Sequence, residues 1–152
     1  MKSLAGLLAN VKNGLQHNVT TVTVPKNKLN LRMLCMLLDL GIIENFSPNV
    51  NSKYRYTVYL YQANLYKANL DAEKSLNLVS SAITHSKAKA TSIFKIYIRA
   101  GGNRIMSYHA LRKEARKNLT GYYILSTTSG FLTSQEALKK KIGGTLICKI
   151  HF

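Results

Sequence analysis

The sequence predicts an α+β protein built as two small lobes, for three reasons. The chain of 152 residues is 46% hydrophobic and 18% charged, a composition typical of a folded globular protein. Some segments carry apolar residues at helical spacing and others alternate as strands do, with Gly or Pro between many of them. A polar segment, 62–90, then separates an N-terminal lobe, 1–61, from a C-terminal lobe, 91–152.

The N-terminal lobe is predicted to begin with a helix and a strand. Leu4, Leu7, Leu8 and Val11 recur at helical spacing, and Gly14 is predicted to end this helix in the left-handed conformation. The β-branched residues within 19–24 then predict a short strand that leads to Pro25. The lobe therefore opens with one helix and one strand.

A second helix and two strands complete the predicted α-β-α-β-β order. Asn27 is predicted to cap a helix over 29–40, with Gly41 just beyond it. This helix is so apolar that most of its surface is expected to be buried. Strands are predicted over 42–46 and 54–61, and the second of them alternates between two faces.

The polar segment 62–90 is interpreted as an insertion or linker because its apolar content is low for its length. The C-terminal lobe after it is predicted to be mostly β with two short helices. Strands are expected over 92–98, 104–106, 122–125 and 145–150, and Ser107 is expected to cap a basic helix that ends at Lys117. Thr133 and Glu136 have the spacing of a capping box for the last helix.

The charge balance predicts an anionic partner. The chain has 22 Lys and Arg against 6 Asp and Glu, a net charge of +16. A domain this basic gains affinity for phosphate backbones through counterion release. No apolar segment approaches the ~18 residues that span a membrane, and the N-terminal apolar run is interpreted as part of the fold. A membrane partner is therefore not expected.

Neither catalysis nor metal binding is predicted. The four His residues are scattered without ligand spacing, and the few carboxylates do not form an acid/base pair. Cys35 and Cys148 lie in apolar patterns and are predicted to be buried thiols, with a disulfide between them as the alternative. We therefore expect no cofactor and no metal ion.

Segment 126–130 carries four consecutive hydroxyl side chains followed by Gly130 and is the most distinctive polar feature of the chain. It is predicted to be a loop. Short hydroxyls can bond phosphates, ribose hydroxyls and base edges. An ordinary turn, in which Ser and Thr bond their own backbone, is the alternative interpretation. A nucleophilic Ser126 is disfavoured because no nucleophile-elbow motif surrounds it.

The C-terminal sequence ILSTTSGFLTSQEALKKKIGGTLICKI closely resembles the signature of the eighth universal family of small-subunit ribosomal proteins. Bacterial members read similarly to STSKG, two apolar residues, T, a helix and GGEIIC. The resemblance places Ser126, Thr127 and Thr128 on the family's Ser-Thr-Ser, and Cys148 on its terminal strand.

Two further segments carry the same resemblance. LLANVKNG is similar to the family's first helix, and VTVPKNKLNLRMLCMLLDLGIIENF is similar to its V-T-M-P segment with the following helix. Gly102, Arg104 and Leu111 can be placed on the family's P-G-x-R turn and the helix after it. About three quarters of the chain is covered, whereas 62–90 matches nothing in the family pattern.

The resemblance implies a non-enzymatic constituent of the small ribosomal subunit that binds the central domain of small-subunit rRNA and supports its assembly. Its partners would be that rRNA and other small-subunit ribosomal proteins, with no small-molecule substrate. A basic nucleic-acid-binding regulator outside the ribosome is the alternative. The predicted RNA-binding residues are Ser126, Thr127, Thr128, Ser129, Gly130, Arg104, Lys12, Lys26, Lys28, Arg99, Lys139 and Lys140.

Four positions depart from the family pattern. Ser129 stands where many members have Lys, Met106 where Tyr is common, Gly101 where Pro occurs and Thr145 where Glu occurs. Together with 62–90, the Lys- and Asn-rich composition and an N-terminus without an extension, these departures suggest a divergent mitochondrial member. A bacterial or plastid ribosome is the alternative location.

Overall fold

The computed structural model describes residues 2–61, 93–98, 102, 104–117 and 121–151. The chain divides into two compact units, one formed by Met1–Leu8 with Ile93–Phe152 and the other by Ala9–Ser92. We call the first the five-stranded unit and the second the three-stranded unit, after their sheets. The predicted α+β class is confirmed. The lobe boundaries stay predictions, because the segment 62–90 lies outside the described residues.

The helices and strands follow the predicted order with one addition, because the strand Gly130–Thr133 was not predicted. They are α1 (Lys2–Gln16), β1 (Thr21–Pro25), α2 (Lys28–Asp39), β2 (Ile43–Pro48), β3 (Arg55–Leu60), β4 (Ile93–Ile96), β5 (Ile105–Met106), α3 (Tyr108–Lys117), β6 (Gly121–Thr127), β7 (Gly130–Thr133), α4 (Ser134–Lys139) and β8 (Gly144–His151).

Helix α1 ends later than predicted. Gly14 lies within the helix, and the left-handed residue that ends it is Asn18, with φ of 52°. The Val19 N–H donates to the Gly14 carbonyl at 2.9 Å, the long-range bond of a Schellman motif. Gly14 has a packing role instead, because a Cβ there would collide with the Leu60 side chain and lie 2.8 Å from Val22 Cγ1.

Helix α2 begins as predicted but is less buried than predicted. The Asn27 side chain accepts a 2.7 Å hydrogen bond from the Asn30 N–H, and Gly41 ends the helix at φ of 65°. Only Asn30, Met33, Leu34 and Leu37 are buried. The prediction of a mostly buried helix was wrong, because one apolar stripe is enough to pack it against the sheet.

The sheet of the three-stranded unit has the order β1-β3-β2, and both pairs are antiparallel. The central strand β3 shows the predicted alternation, with Tyr56, Val58 and Leu60 buried. In the five-stranded unit, β8 pairs with β6 along one edge and with β4 and β5 along the other, while β7 pairs with β6. Every pair is antiparallel.

In the five-stranded unit, α3 and α4 pack against one face of the sheet. Leu111 of α3 and Ala137 of α4 are fully buried among residues of the sheet. The cluster consists of Met106, Leu111, Tyr123, Leu125, Leu132, Ala137 and Leu146. A bulge between β6 and β8 pairs Ile124 with Cys148 and Leu125 with Leu146, which leaves Ile147 as the extra residue.

The two cysteines differ in environment, and both are free. Cys148 is buried as predicted, and burial raises the pKa of its thiol to about 12. Cys35 is exposed, so its predicted burial was wrong. It lies on α2 between Leu31 and Leu38, each of which is 37% exposed, so this apolar stripe faces solvent.

Replacing Gly14 with Ala is expected to destabilise the protein by about 1 to 2 kcal/mol, because the added methyl group overpacks the contact with Leu60 and Val22. Gly6 is the matched control in the same helix, since a Cβ there meets no atom within 4 Å. Gly6→Ala should stabilise by about 0.5 to 1 kcal/mol through helix propensity. Urea unfolding measures both changes, and equal stabilisation by the two substitutions would contradict the packing role of Gly14.

Thiol labelling is expected to separate the two cysteines. Cys35 should react rapidly with a maleimide or disulfide reagent in the folded protein, whereas Cys148 should react only after unfolding, because the thiolate is the reactive form. Cys35→Ser should abolish the fast phase. Two equally fast thiols in the native protein would show that the β8 core is open.

Candidate nucleic-acid interface

The hydroxyl-rich segment 126–130 is a β-hairpin, so its prediction as a loop was wrong. Ser126 and Thr127 belong to β6, Gly130 begins β7, and the turn between the strands consists of Thr128 and Ser129. Ser126 pairs with Phe131, and Thr127 pairs with Gly130. The ladder extends through the polar residues because backbone pairing does not depend on side-chain hydrophobicity. We call 126–130 the hydroxyl hairpin.

Gly130 supplies the left-handed residue that the hydroxyl hairpin requires. Its φ is 105°, whereas neither Thr128 nor Ser129 has a positive φ. The mirror-image turns, types I′ and II′, need positive φ at one or both central residues, so this hairpin instead uses a glycine after the turn. The sequence order Thr-Ser-Gly thus fits the backbone of the hairpin at each position.

Thr127 stabilises the turn through its side chain. Its Oγ1 donates to the Gly130 carbonyl at 2.9 Å and accepts from the Ser129 N–H at 3.2 Å. These bonds are the local backbone contacts that the ordinary-turn interpretation anticipated for a Ser/Thr-rich segment. Thr127 is therefore a scaffold for the tip.

The exposed hydroxyls of the tip belong to Thr128 and Ser129. Ser126, Thr127 and Gly130 are half-buried at its base. Two hydroxyl groups on a turn with fixed backbone can donate and accept hydrogen bonds at a ligand surface without the entropy loss of a long side chain. The five residues predicted to form one site are thus together, but they divide into a tip and a support.

Strand β8 lies directly beside the base of the hydroxyl hairpin. Ser126 pairs with Thr145, and a Cβ on Gly144 would lie 2.5 Å from the Ser126 carbonyl oxygen and 2.9 Å from Thr127 Cγ2. Gly144 is therefore a position where two backbones approach closely. Thr145, one of the departures from the family pattern, lies between β6 and β5 because it also pairs with Ile105.

Arg104 lies just before β5 on the other side of β8. Its carbonyl accepts a 2.8 Å hydrogen bond from the Leu146 N–H, which fixes the backbone there. The guanidinium carbon lies 5.9 Å from the centroid of the Tyr97 ring, within the range of a cation–π contact. The side chain remains exposed, so its charge is available to a phosphate.

Lys139 and Lys140 are exposed at the C-terminal end of α4. The predicted capping box that begins this helix is confirmed, since Thr133 Oγ1 accepts from the Glu136 N–H and Glu136 Oε2 accepts from the Thr133 N–H. Lys141 ends the helix at φ of 55°. Cations at the C-terminal end of a helix interact favourably with the helix dipole. Helix stability therefore explains part of the positive charge at Lys139 and Lys140.

Lys12, Lys26 and Lys28 belong to the three-stranded unit, whereas the hydroxyl hairpin belongs to the five-stranded unit. Lys26 and Lys28 are exposed, and Lys12 is half-buried. The Lys26 ammonium lies 5.7 Å from the centroid of the Tyr56 ring. Lys28 is the first residue of α2, where a cation meets the positive end of the dipole, so helix stability does not explain its presence.

Two positions singled out in the sequence, Arg99 and Gly101, lie outside the described residues. Of the other departures from the family pattern, Met106 is buried in the core and Ser129 is exposed at the hairpin tip. A departure at Met106 therefore alters the core, whereas a departure at Ser129 alters the surface that a ligand can reach.

Sequence reasoning missed the common face of the basic residues in α3. His109, Arg112, Lys113, Arg116 and Lys117 have the spacing i, i+3, i+4, i+7 and i+8, which places all five on one side of the helix. They line one surface depression. The spacing of these residues is visible in the sequence, so a helical projection of 108–117 would have predicted their common face.

No group of three or more His, Cys, Asp or Glu residues that could hold a metal ion occurs among the described residues. Nor does any helix within that part of the chain have the length and hydrophobicity needed to cross a membrane. Burial lowers the pKa of His151, and the charges of Lys149 and Lys95 lower it further. The two lysines lie on the paired strands β8 and β4.

This α+β protein combines a strongly basic surface with a hydroxyl-bearing turn that Thr127 stabilises. These features define a class of protein suited to binding the phosphate and ribose groups of nucleic acid. Comparison with known proteins identifies the family. The family model described as ribosomal protein S8 matches residues 2–151, and the chain therefore belongs to the ribosomal protein S8 family. The resemblance inferred from the sequence motifs is confirmed.

Curated relatives agree over nearly the whole length. The small ribosomal subunit protein uS8c of Marchantia polymorpha is 30% identical over 150 residues, which are 97% of this chain and 96% of the relative. The uS8c protein of Pleurastrum terricola is 28% identical over 149 residues, with the same coverage of both chains. The uS8 protein of Rickettsia bellii is 27% identical over 150 residues, again covering 97% and 96%.

Thr127→Val is expected to destabilise the protein by about 1 to 2 kcal/mol, because it removes both hydrogen bonds of the turn while preserving side-chain shape. Thr128→Val, at the exposed neighbour, should change the free energy of unfolding by less than about 0.5 kcal/mol. Denaturant unfolding of the two variants measures the difference. If Thr128→Val lowered the free energy of unfolding more than Thr127→Val does, Thr128 and not Thr127 would be the residue that stabilises the turn.

Proposed function

We propose that this protein is a structural constituent of the small ribosomal subunit that binds the central domain of small-subunit rRNA and supports its assembly. It acts through contacts with RNA and with other small-subunit ribosomal proteins, without catalysis, cofactor or small-molecule substrate. The observation that carries the proposal is the hydroxyl hairpin: two exposed hydroxyls on a turn that Thr127 supports, in a member of the ribosomal protein S8 family.

The hydroxyl hairpin would provide specificity. Thr128 and Ser129 can each donate and accept hydrogen bonds, and their short side chains allow close approach to an irregular RNA surface. RNA helices are recognised largely through shape, ribose hydroxyls and unpaired bases. Thr127 and Gly130 would hold the tip in position, and Ser126 would contribute where the RNA reaches the base of the hairpin.

The cations would provide most of the affinity. Arg104, Lys139 and Lys140 supply exposed charge in the five-stranded unit, and Lys12, Lys26 and Lys28 supply charge in the other. Phosphate contacts fix the register of a protein on RNA but carry no sequence information. Arg99 is included in the proposed set from the sequence alone.

A mitochondrial ribosome is the proposed location, supported by the departures from the family pattern and by the Lys- and Asn-rich composition. Bacterial and plastid ribosomes are the alternatives, since the three relatives named above are chloroplast and bacterial proteins. Tagged protein that sediments with ribosomes from purified mitochondria would support the proposal. Recovery of the tagged protein only with plastid ribosomes, or its natural occurrence in a bacterium, would overturn it.

The alternative function is that of a basic nucleic-acid-binding regulator outside the ribosome. Sedimentation distinguishes such a regulator from a ribosomal constituent. A ribosomal constituent should comigrate with the small subunit in a sucrose gradient at moderate salt, because many phosphate contacts act together. A pool that remains free of the subunit, or bound to DNA, would favour the regulator.

The wild-type protein is expected to bind a helix from the central domain of small-subunit rRNA at least about 4 kcal/mol more tightly than an unrelated duplex of equal length. Thr128→Ala with Ser129→Ala should reduce this preference by about 1 to 3 kcal/mol, the range for losing specific polar contacts. The unfolding free energy should stay nearly constant because both side chains are exposed. Filter binding over a salt series measures the affinities.

Thr20→Ala is the matched control, because Thr20 is an exposed threonine outside the hydroxyl hairpin. It should leave the preference for the rRNA helix unchanged. Equal and steeply salt-dependent binding of wild-type protein to both RNAs would show only a basic surface and would contradict recognition by the hairpin.

A further inference from the structure

Helix α3 carries a strongly basic face that the hydroxyl hairpin does not account for. Over the 10 residues of the helix, His109, Arg112, Lys113, Arg116 and Lys117 repeat every three or four positions. Arg112, Lys113, Arg116 and Lys117 are all exposed. At a rise of about 1.5 Å per residue, the face extends roughly 12 Å along the helix axis.

The opposite side of α3 fixes the direction of this face. Leu111 is fully buried in the core cluster with Tyr123 and Leu125. Glu114 accepts a hydrogen bond from the Tyr123 hydroxyl at 3.4 Å, so the acid of this helix is engaged at the sheet. The basic residues therefore point away from the sheet, and they line a shallow depression of about 480 Å³.

Helix stability explains only part of this arrangement. Arg116 and Lys117 lie in the last turn, where cations interact favourably with the helix dipole. Arg112 and Lys113 lie in the middle of the helix and gain little from that effect. They also stand four residues before Arg116 and Lys117, and like charges at this spacing repel each other. A bound anion would relieve that repulsion.

The basic face and the hydroxyl hairpin are separate features of the same unit. The tip of the hairpin is the turn between β6 and β7, whereas the basic face is the solvent side of a helix packed on the sheet through Leu111. A depression bounded by guanidinium, ammonium and imidazole groups suits a run of phosphates better than a base, because it offers many donors and few acceptors.

We propose that the basic face of α3 binds the phosphate backbone of a second rRNA segment, different from the segment that the hydroxyl hairpin contacts. This proposal rests on the proposed function, since it assumes that the hairpin recognises an rRNA helix. The protein would then join two segments of RNA, one recognised by shape and one held by charge. The second contact would carry little sequence preference and strong salt dependence.

The test compares two RNAs and two double variants. One RNA is the short central-domain helix, and the other is the whole central domain that contains this helix. Arg112→Gln with Lys113→Gln removes two charges from the middle of the basic face, away from the helix end. Arg32→Gln with Lys53→Gln is the matched control, because it removes the same two residue types from exposed positions of the three-stranded unit.

The α3 variant is expected to bind the short helix as the wild type does and to lose about tenfold or more in affinity for the whole domain. Its salt slope on the whole domain should fall by about 2, close to one for each lost phosphate contact. The control should retain the wild-type ratio of the two affinities. Circular dichroism of the variant verifies that α3 remains folded.

Other outcomes overturn the proposal in distinguishable ways. Equal losses on both RNAs would place the basic face and the hairpin on one RNA segment, and no loss on either RNA would assign the face to another partner. If the wild-type protein does not prefer the short helix over an unrelated duplex, the proposed function fails instead. That result is read from the wild-type protein alone and does not depend on the α3 variant.

Discussion

The pairing of β6 with β8 is the constraint on which the five-stranded unit depends. Strand β8 pairs with β6 on one edge and with β4 and β5 on the other, so its displacement would separate three strands at once. Near the hydroxyl hairpin the two strands approach so closely that position 144 has no room for a Cβ beside the Ser126 carbonyl. The contact that closes the sheet therefore also fixes the base of the hairpin.

Within the hydroxyl hairpin, neighbouring residues of similar chemistry have two different roles, because some stabilise the turn and others expose their hydroxyl groups. Thr127 and Thr128 are neighbours of the same residue type, yet the first uses its hydroxyl within the turn and the second exposes it. A ligand that meets an ordered tip does not need to pay the entropy of fixing it. Long lysine side chains lose more freedom on binding, so they suit phosphate contacts in which geometry matters less.

Most of the fold could be predicted from the sequence, because helix caps and apolar periodicity are local signals. Asn27 and the Thr133–Glu136 box begin helices as predicted. Errors arose where tertiary contacts decide. Gly14 resembled a helix stop but fills a packing position, and Cys35 shares an apolar stripe that the fold leaves exposed. The hydroxyl segment was recognised, but its strand pairing could not be, since register depends on a partner strand.

Charge and fold are coupled throughout this molecule. A net charge of +16 on 152 residues opposes compaction in the free chain, and cations occur at exposed positions in both units. The cores of Leu, Ile and Val side chains must therefore hold the fold against this repulsion when no anion is bound. Once phosphates lie against the surface, the same cations become favourable, and binding to the folded form stabilises it by mass action. Under the proposed function, the hydroxyl hairpin would then act as the selective element, because the surrounding charge would supply affinity without requiring a particular sequence.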